Sequence, residues 1–107
     1  MTNRYEAMEA SIPNILIIDD EERIRDACCS VLTEDGCEVD LAADGKHGLA
    51  LIKETHFDIV LLDLMMPTMS GFDVLSQIKD LHPDTVVIVI TGYATLEHSI
   101  EAMKRGA

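Results

Sequence analysis

Four short apolar runs divide the chain: Asn14–Ile18, Cys37–Ala42, Ile59–Leu62 and Val86–Ile90. Short runs this rich in β-branched residues predict strands. Ile15–Ile18 and Ile59–Leu62 are apolar throughout, as in parallel-sheet strands covered on both faces. The second run alternates, which suits a place near an edge. Between the runs, apolar residues recur at helical spacing. From Glu21 onward, Ile24, Ala27, Cys28, Val31 and Leu32 form one stripe at i, i+3, i+4, i+7 and i+8. Acidic residues at its start favour a helix N-terminus, and Asp35-Gly36 supplies the stop. Asp44-Gly45 breaks the chain before a second helix, which runs to about Glu54 with Gly48, Leu49 and Ile52 inward. Ser70 is the expected N-cap of a third helix, which buries Phe72, Leu75 and Ile78 and ends at His82-Pro83-Asp84. Thr95 caps a fourth, with Leu96, Ile100, Met103 and Ala107 on one side. The order β-α-β-α-β-α-β-α implies a parallel sheet with right-handed crossovers.

Two of the strands deliver carboxylates. The third run ends in Asp63, and Pro67, with no N–H and a fixed φ, stops the strand from continuing. On that stretch alone, Asp63 is equally well a site carboxylate or a turn residue. The first run ends in Asp19, Asp20, Glu21 and Glu22. A solvated acidic helix start explains Glu21 and Glu22 well and Asp19 poorly. If the two strands are parallel neighbours, Asp19, Asp20 and Asp63 converge at the carboxyl edge, where open α/β sheets build their sites. Three carboxylates so close repel one another unless a cation or a proton intervenes. An oxygen-only ligand set in a wet cleft suits Mg²⁺. The fourth run ends in Thr91-Gly92, a hydroxyl and then a residue without a side chain, at the same edge.

Composition narrows the possibilities. The 107 residues suggest one domain, and an apolar share of 48% can fill a core. Eight basic residues against twenty acidic leave a net charge of −12, which argues against a nucleic-acid surface in this segment. No apolar run approaches the length of a membrane span. The first dozen residues carry Arg4, Glu6 and Glu9 and lack an apolar stretch, so no signal peptide is read there. Met1 to Ile12 is expected to be a tail, with a short helix as the alternative. Cys28, Cys29 and Cys37 are odd in number and lack metal spacing, which fits a reduced cytoplasm. His47, His56, His82 and His98 fall on different elements with no shared metal spacing and are read as surface or satisfied residues.

The acid pair Asp19-Asp20, the segment Asp63-Leu-Met-Met-Pro67, Ser70-Gly71 at the next helix and Thr91-Gly92 after the fourth strand occur in one order and spacing. In this the chain, from Pro13 to its last residue, resembles the receiver domain of bacterial two-component response regulators. The resemblance implies a flavodoxin-like doubly wound fold with its site at the switch between strands one and three. It implies phosphoryl transfer from a phosphohistidine on a sensor histidine kinase to Asp63, with Mg²⁺ as cofactor. By the same resemblance Asp20 and Asp63 ligate the metal directly, Asp19 acts through a water, and the Met65 backbone carbonyl completes the protein's share. Thr91 hydrogen-bonds the phosphoryl group and acts as the switch, while the Gly92 N–H meets it. The helix-four surface then controls an output domain of the same parent chain. Helix four is similar to that of receivers in enhancer-binding transcription activators.

The family carries a fifth strand, a fifth helix and a phosphate-contacting lysine beyond the point where this sequence stops. Lys104 and Arg105 lie on a helix and do not take the lysine's role. The expectation is therefore an excised, incomplete receiver whose fourth strand is an exposed edge, with self-association through that edge and the helix faces. Two other functions compete. A receiver-like interaction module would no longer accept phosphate. An Mg²⁺-dependent phosphohydrolase using Asp63 as nucleophile would need an acid two residues later, where the chain has Met65.

Overall fold

The computed structural model describes residues 12–90 and 96–107. Within them the order is β1 (Asn14–Ile18), α1 (Glu22–Glu34), β2 (Glu38–Ala42), α2 (Gly45–Glu54), β3 (Ile59–Leu62), α3 (Gly71–Leu81), β4 (Val86–Val89) and α4 (Leu96–Lys104). The four strands form one parallel sheet in the order β2-β1-β3-β4. The expected fold class holds, and the alternating second run is the edge strand β2. The expected tail lies, Ile12 apart, outside the described residues, as does Thr95.

The helix ends follow from the residues that close them. Asp44 Oδ1 accepts from the His47 N–H at 2.7 Å, and Ser70 Oγ accepts from the Phe72 N–H at 3.2 Å. At the end of α1 the Gly36 N–H donates to the Thr33 carbonyl and the Cys37 N–H to the Leu32 carbonyl, both at 3.0 Å. That double closure needs a left-handed residue, and Gly36 supplies it at φ 86°.

The two faces of the sheet are covered unequally. Leu16, Ile18, Val60, Leu62 and Val87 pack with Leu49 and Ile52 of α2, Val74, Leu75 and Ile78 of α3 and Ala102 of α4 into one core. On the other face, register aligns Ile17 with Leu61 and Ile88. Coverage falls along that row: Ile17 is sealed, Leu61 is half-buried and Ile88 is 46% exposed. α1 packs chiefly over β1 and β2. The predicted stripe of α1 is therefore only half used. Cys28 and Leu32 are half-buried, but Ile24 and Val31 stay exposed, Val31 by 62%.

α4 is turned relative to the expectation. Its buried residue is Ala102, flanked by half-buried His98, Glu101 and Arg105, while Ile100, Met103 and Ala107 are exposed. The small Ala102 lets the helix approach the core. Arg105 binds Glu101 at 2.8 Å, reaches Asp73 at 3.6 Å and lies over the Phe72 ring at 5.3 Å. These contacts hold a face that apolar counting did not select. Phe72, expected inward, is correspondingly half-buried.

One buried hydroxyl ties two loops at the amino end of the sheet. Thr85, fully buried, donates to the Phe57 carbonyl at 2.8 Å. Thr85→Val keeps the shape and leaves that carbonyl without its donor. We expect a loss of about 1–3 kcal/mol, read as a lower urea midpoint at unchanged m-value.

Candidate functional site

The parallel pairing of β1 and β3 sets the geometry. Ile18 lies beside Leu62 in register, so the residues that follow, Asp19 and Asp63, leave the sheet together. The Asp63 N–H donates to the Ile18 carbonyl at 2.9 Å, and the Asp19 N–H donates across to Ala42 of β2 at 3.1 Å. Asp20 joins them, and one carboxylate oxygen from each of Asp19, Asp20 and Asp63 lies within 4.8 Å of the others. The convergence expected from the strand endings is therefore present.

Each buried carboxylate has a backbone partner. Asp63, 7% exposed, accepts from the Met65 N–H at 3.0 Å through Oδ1. Asp19, 3% exposed, accepts at 2.8 Å from the N–H of Glu21, the residue that precedes α1. Arg25, one turn into that helix, donates to the Asp19 carbonyl at 2.7 Å. The turn that Asp19 closes and the tether from Arg25 were not read from the sequence. The Asp19-x-Glu21 spacing was the available signal for the first, and nothing along the chain marked the second.

Burial pushes the carboxyls of both Asp19 and Asp63 above their ordinary value of 3.8. The Glu21 and Met65 N–H groups pull the other way, and the neighbouring acids add to the rise. Such a site favours whatever brings positive charge. Its oxygen-only donors fit a hard divalent cation, with Asp19, Asp20 and Asp63 as the residues able to hold it.

The raised values have a signed consequence. Between 3.8 and the raised pKa the folded chain binds more protons than the unfolded chain, so these two groups make stability fall as pH rises. Melting with a chelator present, parent beside Asp63→Asn, checks this. The advantage of the Asn chain is expected to widen as pH rises through that window.

Gly71 opens α3 against the pocket loop. A Cβ there would sit 2.6 Å from the Asp63 carbonyl oxygen and closer still to the Leu64 backbone. A shallow groove runs from Asp20 past Met65, Met66 and Pro67 to Phe72. Met65 is exposed beside it, and its carbonyl remains a candidate ligand. Thr91 and Gly92 lie outside the described residues. The strand that leads to them ends beside the pocket, with the Ile90 N–H donating to the Leu62 carbonyl at 2.9 Å. Asp58 has a structural task at the opposite end, accepting from the Asn14 N–H at 2.8 Å.

A family model described as the response regulator receiver domain matches residues 15–107. The regulatory protein AtoC of Escherichia coli is 36% identical over 97 residues, covering 91% of this chain and 21% of that protein. A putative NtrX-like response regulator of Rickettsia bellii is 34% identical over 99 residues, again 91% and 21%. The chain thus spans about a fifth of the length of these two relatives. Among solved structures, a CheY-like receiver domain protein from Methanospirillum hungatei superposes with a TM-score of 0.87 at 38% identity, covering 91% of this chain and 78% of that one. A response regulator from Burkholderia pseudomallei, solved with a phosphorylated aspartic acid, a calcium ion and citrate, gives 0.85 at 32%, covering 89% and 56%.

Proposed function

The chain belongs to the response regulator receiver domain family, and from that premise we propose that Asp63 accepts a phosphoryl group from a phosphohistidine of a sensor histidine kinase. A receiver is a signalling domain and not a conventional enzyme. The observation that carries the choice of residue is the convergence of Asp19, Asp20 and Asp63, with Asp63 nearly buried and fixed by the Met65 N–H. A carboxylate oxygen of Asp63 attacks phosphorus, the P–O bond forms as the P–N bond breaks, and the departing imidazole nitrogen takes up a proton. The pocket's contribution is position: the Met65 N–H holds one oxygen, and the Ile18 carbonyl holds the backbone.

The cofactor of this reading is Mg²⁺, held directly by Asp20, Asp63 and the Met65 carbonyl, and by Asp19 through a water. When bound, it supplies positive charge against the phosphoryl oxygens. The Burkholderia pseudomallei response regulator, solved with a phosphorylated aspartic acid and a calcium ion, supports a phospho-accepting aspartate here. Thr91 and Gly92 take the phosphoryl contacts and the switch. The output is a further domain of a longer cytoplasmic parent chain, residues 13–107 being its receiver and residues 1–12 a leading tail. Relatives whose names mark them as transcriptional regulatory proteins support transcriptional control through that domain. The half-exposed Val86 and Ile88 on β4 support self-association of this segment.

Intact mass after incubation with Mg²⁺ and a small acyl-phosphate donor tests the reading. The parent chain is expected to gain one phosphoryl group and Asp63→Asn none. Equal gain in both chains, or none in either and none in a version extended through a fifth strand, would end the case for Asp63.

A further inference from the structure

The amino end of the sheet, opposite the acidic pocket, holds a second cluster. His56 lies in the loop before β3, His82 caps the end of α3, and Asp84 lies in the loop before β4. The histidines are 26 residues apart, which is why chain spacing suggested no metal site. In the fold, one ring nitrogen of each and one Asp84 oxygen lie within 4.8 Å of one another. We propose that His56, His82 and Asp84 form a binding site for a borderline transition-metal ion, Zn²⁺ in the first instance. The site is independent of the phospho-acceptor reading.

The donor set argues for the ion. Two imidazoles and one carboxylate, with room left for water, match open three-ligand zinc sites and not the all-oxygen surroundings of Mg²⁺. The bond lengths usual for zinc place tetrahedral ligands about 3.3 Å apart. His56 Nε2 and Asp84 Oδ2 already stand 3.0 Å apart. The third ligand is no more than 4.8 Å from either, so closure needs a shift on the order of 1–2 Å. Both His56 and Asp84 have exposed side chains with freedom to make it.

The backbone beneath them is fixed. Thr85 donates to the Phe57 carbonyl at 2.8 Å, and Asn14 Nδ2 donates to the His56 carbonyl at 3.2 Å. Lys79 Nζ holds the Pro83 and Thr85 carbonyls at 3.0 and 2.7 Å, which occupies its charge one layer behind the cluster. His82 Nε2 lies 3.0 Å from the Ile52 carbonyl, which only accepts. That contact fixes the orientation of the His82 ring. An outer carbonyl that orients an imidazole in this way is a recurring support at histidine–metal sites. His56 Nε2 gives up the hydrogen it shares with Asp84 when the ion enters.

Calorimetric titration of the tag-free chain with zinc chloride, in excess Mg²⁺, tests the proposal. We expect one equivalent bound. His56→Ala and Asp84→Asn, both at exposed positions, are each expected to weaken binding at least about tenfold, the lower end of what even outer-shell changes cost. Asp63→Asn should leave it unchanged. In a ¹H–¹⁵N spectrum the ring nitrogens of His56 and His82 should shift together on titration. Unaltered affinity in His56→Ala and Asp84→Asn would overturn the proposal, as would loss of zinc binding in Asp63→Asn alone, or no binding at all. Circular dichroism of each variant shows that it is folded before it is titrated.

Discussion

Asp63→Asn is expected to abolish phosphoryl uptake and, in metal-free buffer, to raise the melting temperature. The first effect is chemical: an amide oxygen is a poor nucleophile. The second follows from burial. Asp63 is 7% exposed and faces two other acids, so its charge is held at a cost in the folded state that the unfolded chain does not bear. Asn keeps the shape and removes the charge. In a chain of this size each kcal/mol moves the midpoint by about 4–8 °C, so a modest relief is measurable. Added cation should reverse the order. At a hundred times its dissociation constant, Mg²⁺ would stabilise the parent by about 2.7 kcal/mol, on the order of 10–20 °C. The Asn chain should gain little of this. Thermal melts with chelator and with Mg²⁺ give all four values. An Asn chain less stable than the parent without metal would show that the pocket does not strain Asp63.

The second large effect is expected at Gly71. Its N–H donates to the Leu64 carbonyl at 3.2 Å, and a Cβ would press on the Asp63 carbonyl at 2.6 Å and on the Leu64 main chain. No flexible side-chain end stands in the way, so either α3 backs off or the pocket loop moves. Gly71→Ala should cost about 1–3 kcal/mol and blunt the Mg²⁺-dependent rise in midpoint, because Asp63 and Met65 lie on the displaced segment. Gly48→Ala is the control. There the nearest atoms are side-chain carbons of the buried Ile18, Cδ1 at 2.5 Å and Cγ1 at 2.8 Å, not pocket-loop backbone. Alanine also favours the α2 interior by about 1 kcal/mol, which offsets part of the clash. If Gly48→Ala blunts the Mg²⁺-dependent rise as much as Gly71→Ala does, backbone contact at Gly71 is not what shapes the loop.

Much of this was legible along the chain. Strand endings gave Asp19, Asp20 and Asp63 a common edge, because parallel pairing fixes where successive strands release their next residue. Ser70 and Gly36 announced helix ends through local chemistry alone. Two things stayed hidden for the same reason. The burial of Ala102 in place of Ile100 and Met103 depends on Arg105, Asp73 and Phe72 meeting between helices, and helical spacing carries no knowledge of a neighbour. His56, His82 and Asp84 meet only because α2–β3 and α3–β4 turn at the same end of the sheet. The unused half of the α1 stripe is the opposite case. The pattern was read correctly as apolar, but apolar character does not state that something covers it.

The turn that Asp19 closes on the Glu21 N–H, just ahead of α1, carries a further consequence. Its Oδ1 accepts the Glu21 amide hydrogen while the same carboxylate belongs to the acidic cluster. Any ion or proton that draws electron density from Asp19 weakens that acceptor. The Glu21 amide is thus a built-in gauge of pocket occupancy: its proton resonance should move upfield and its solvent exchange quicken as the pocket fills. The first turn of α1 would then register the chemical state of the site with no movement of the sheet.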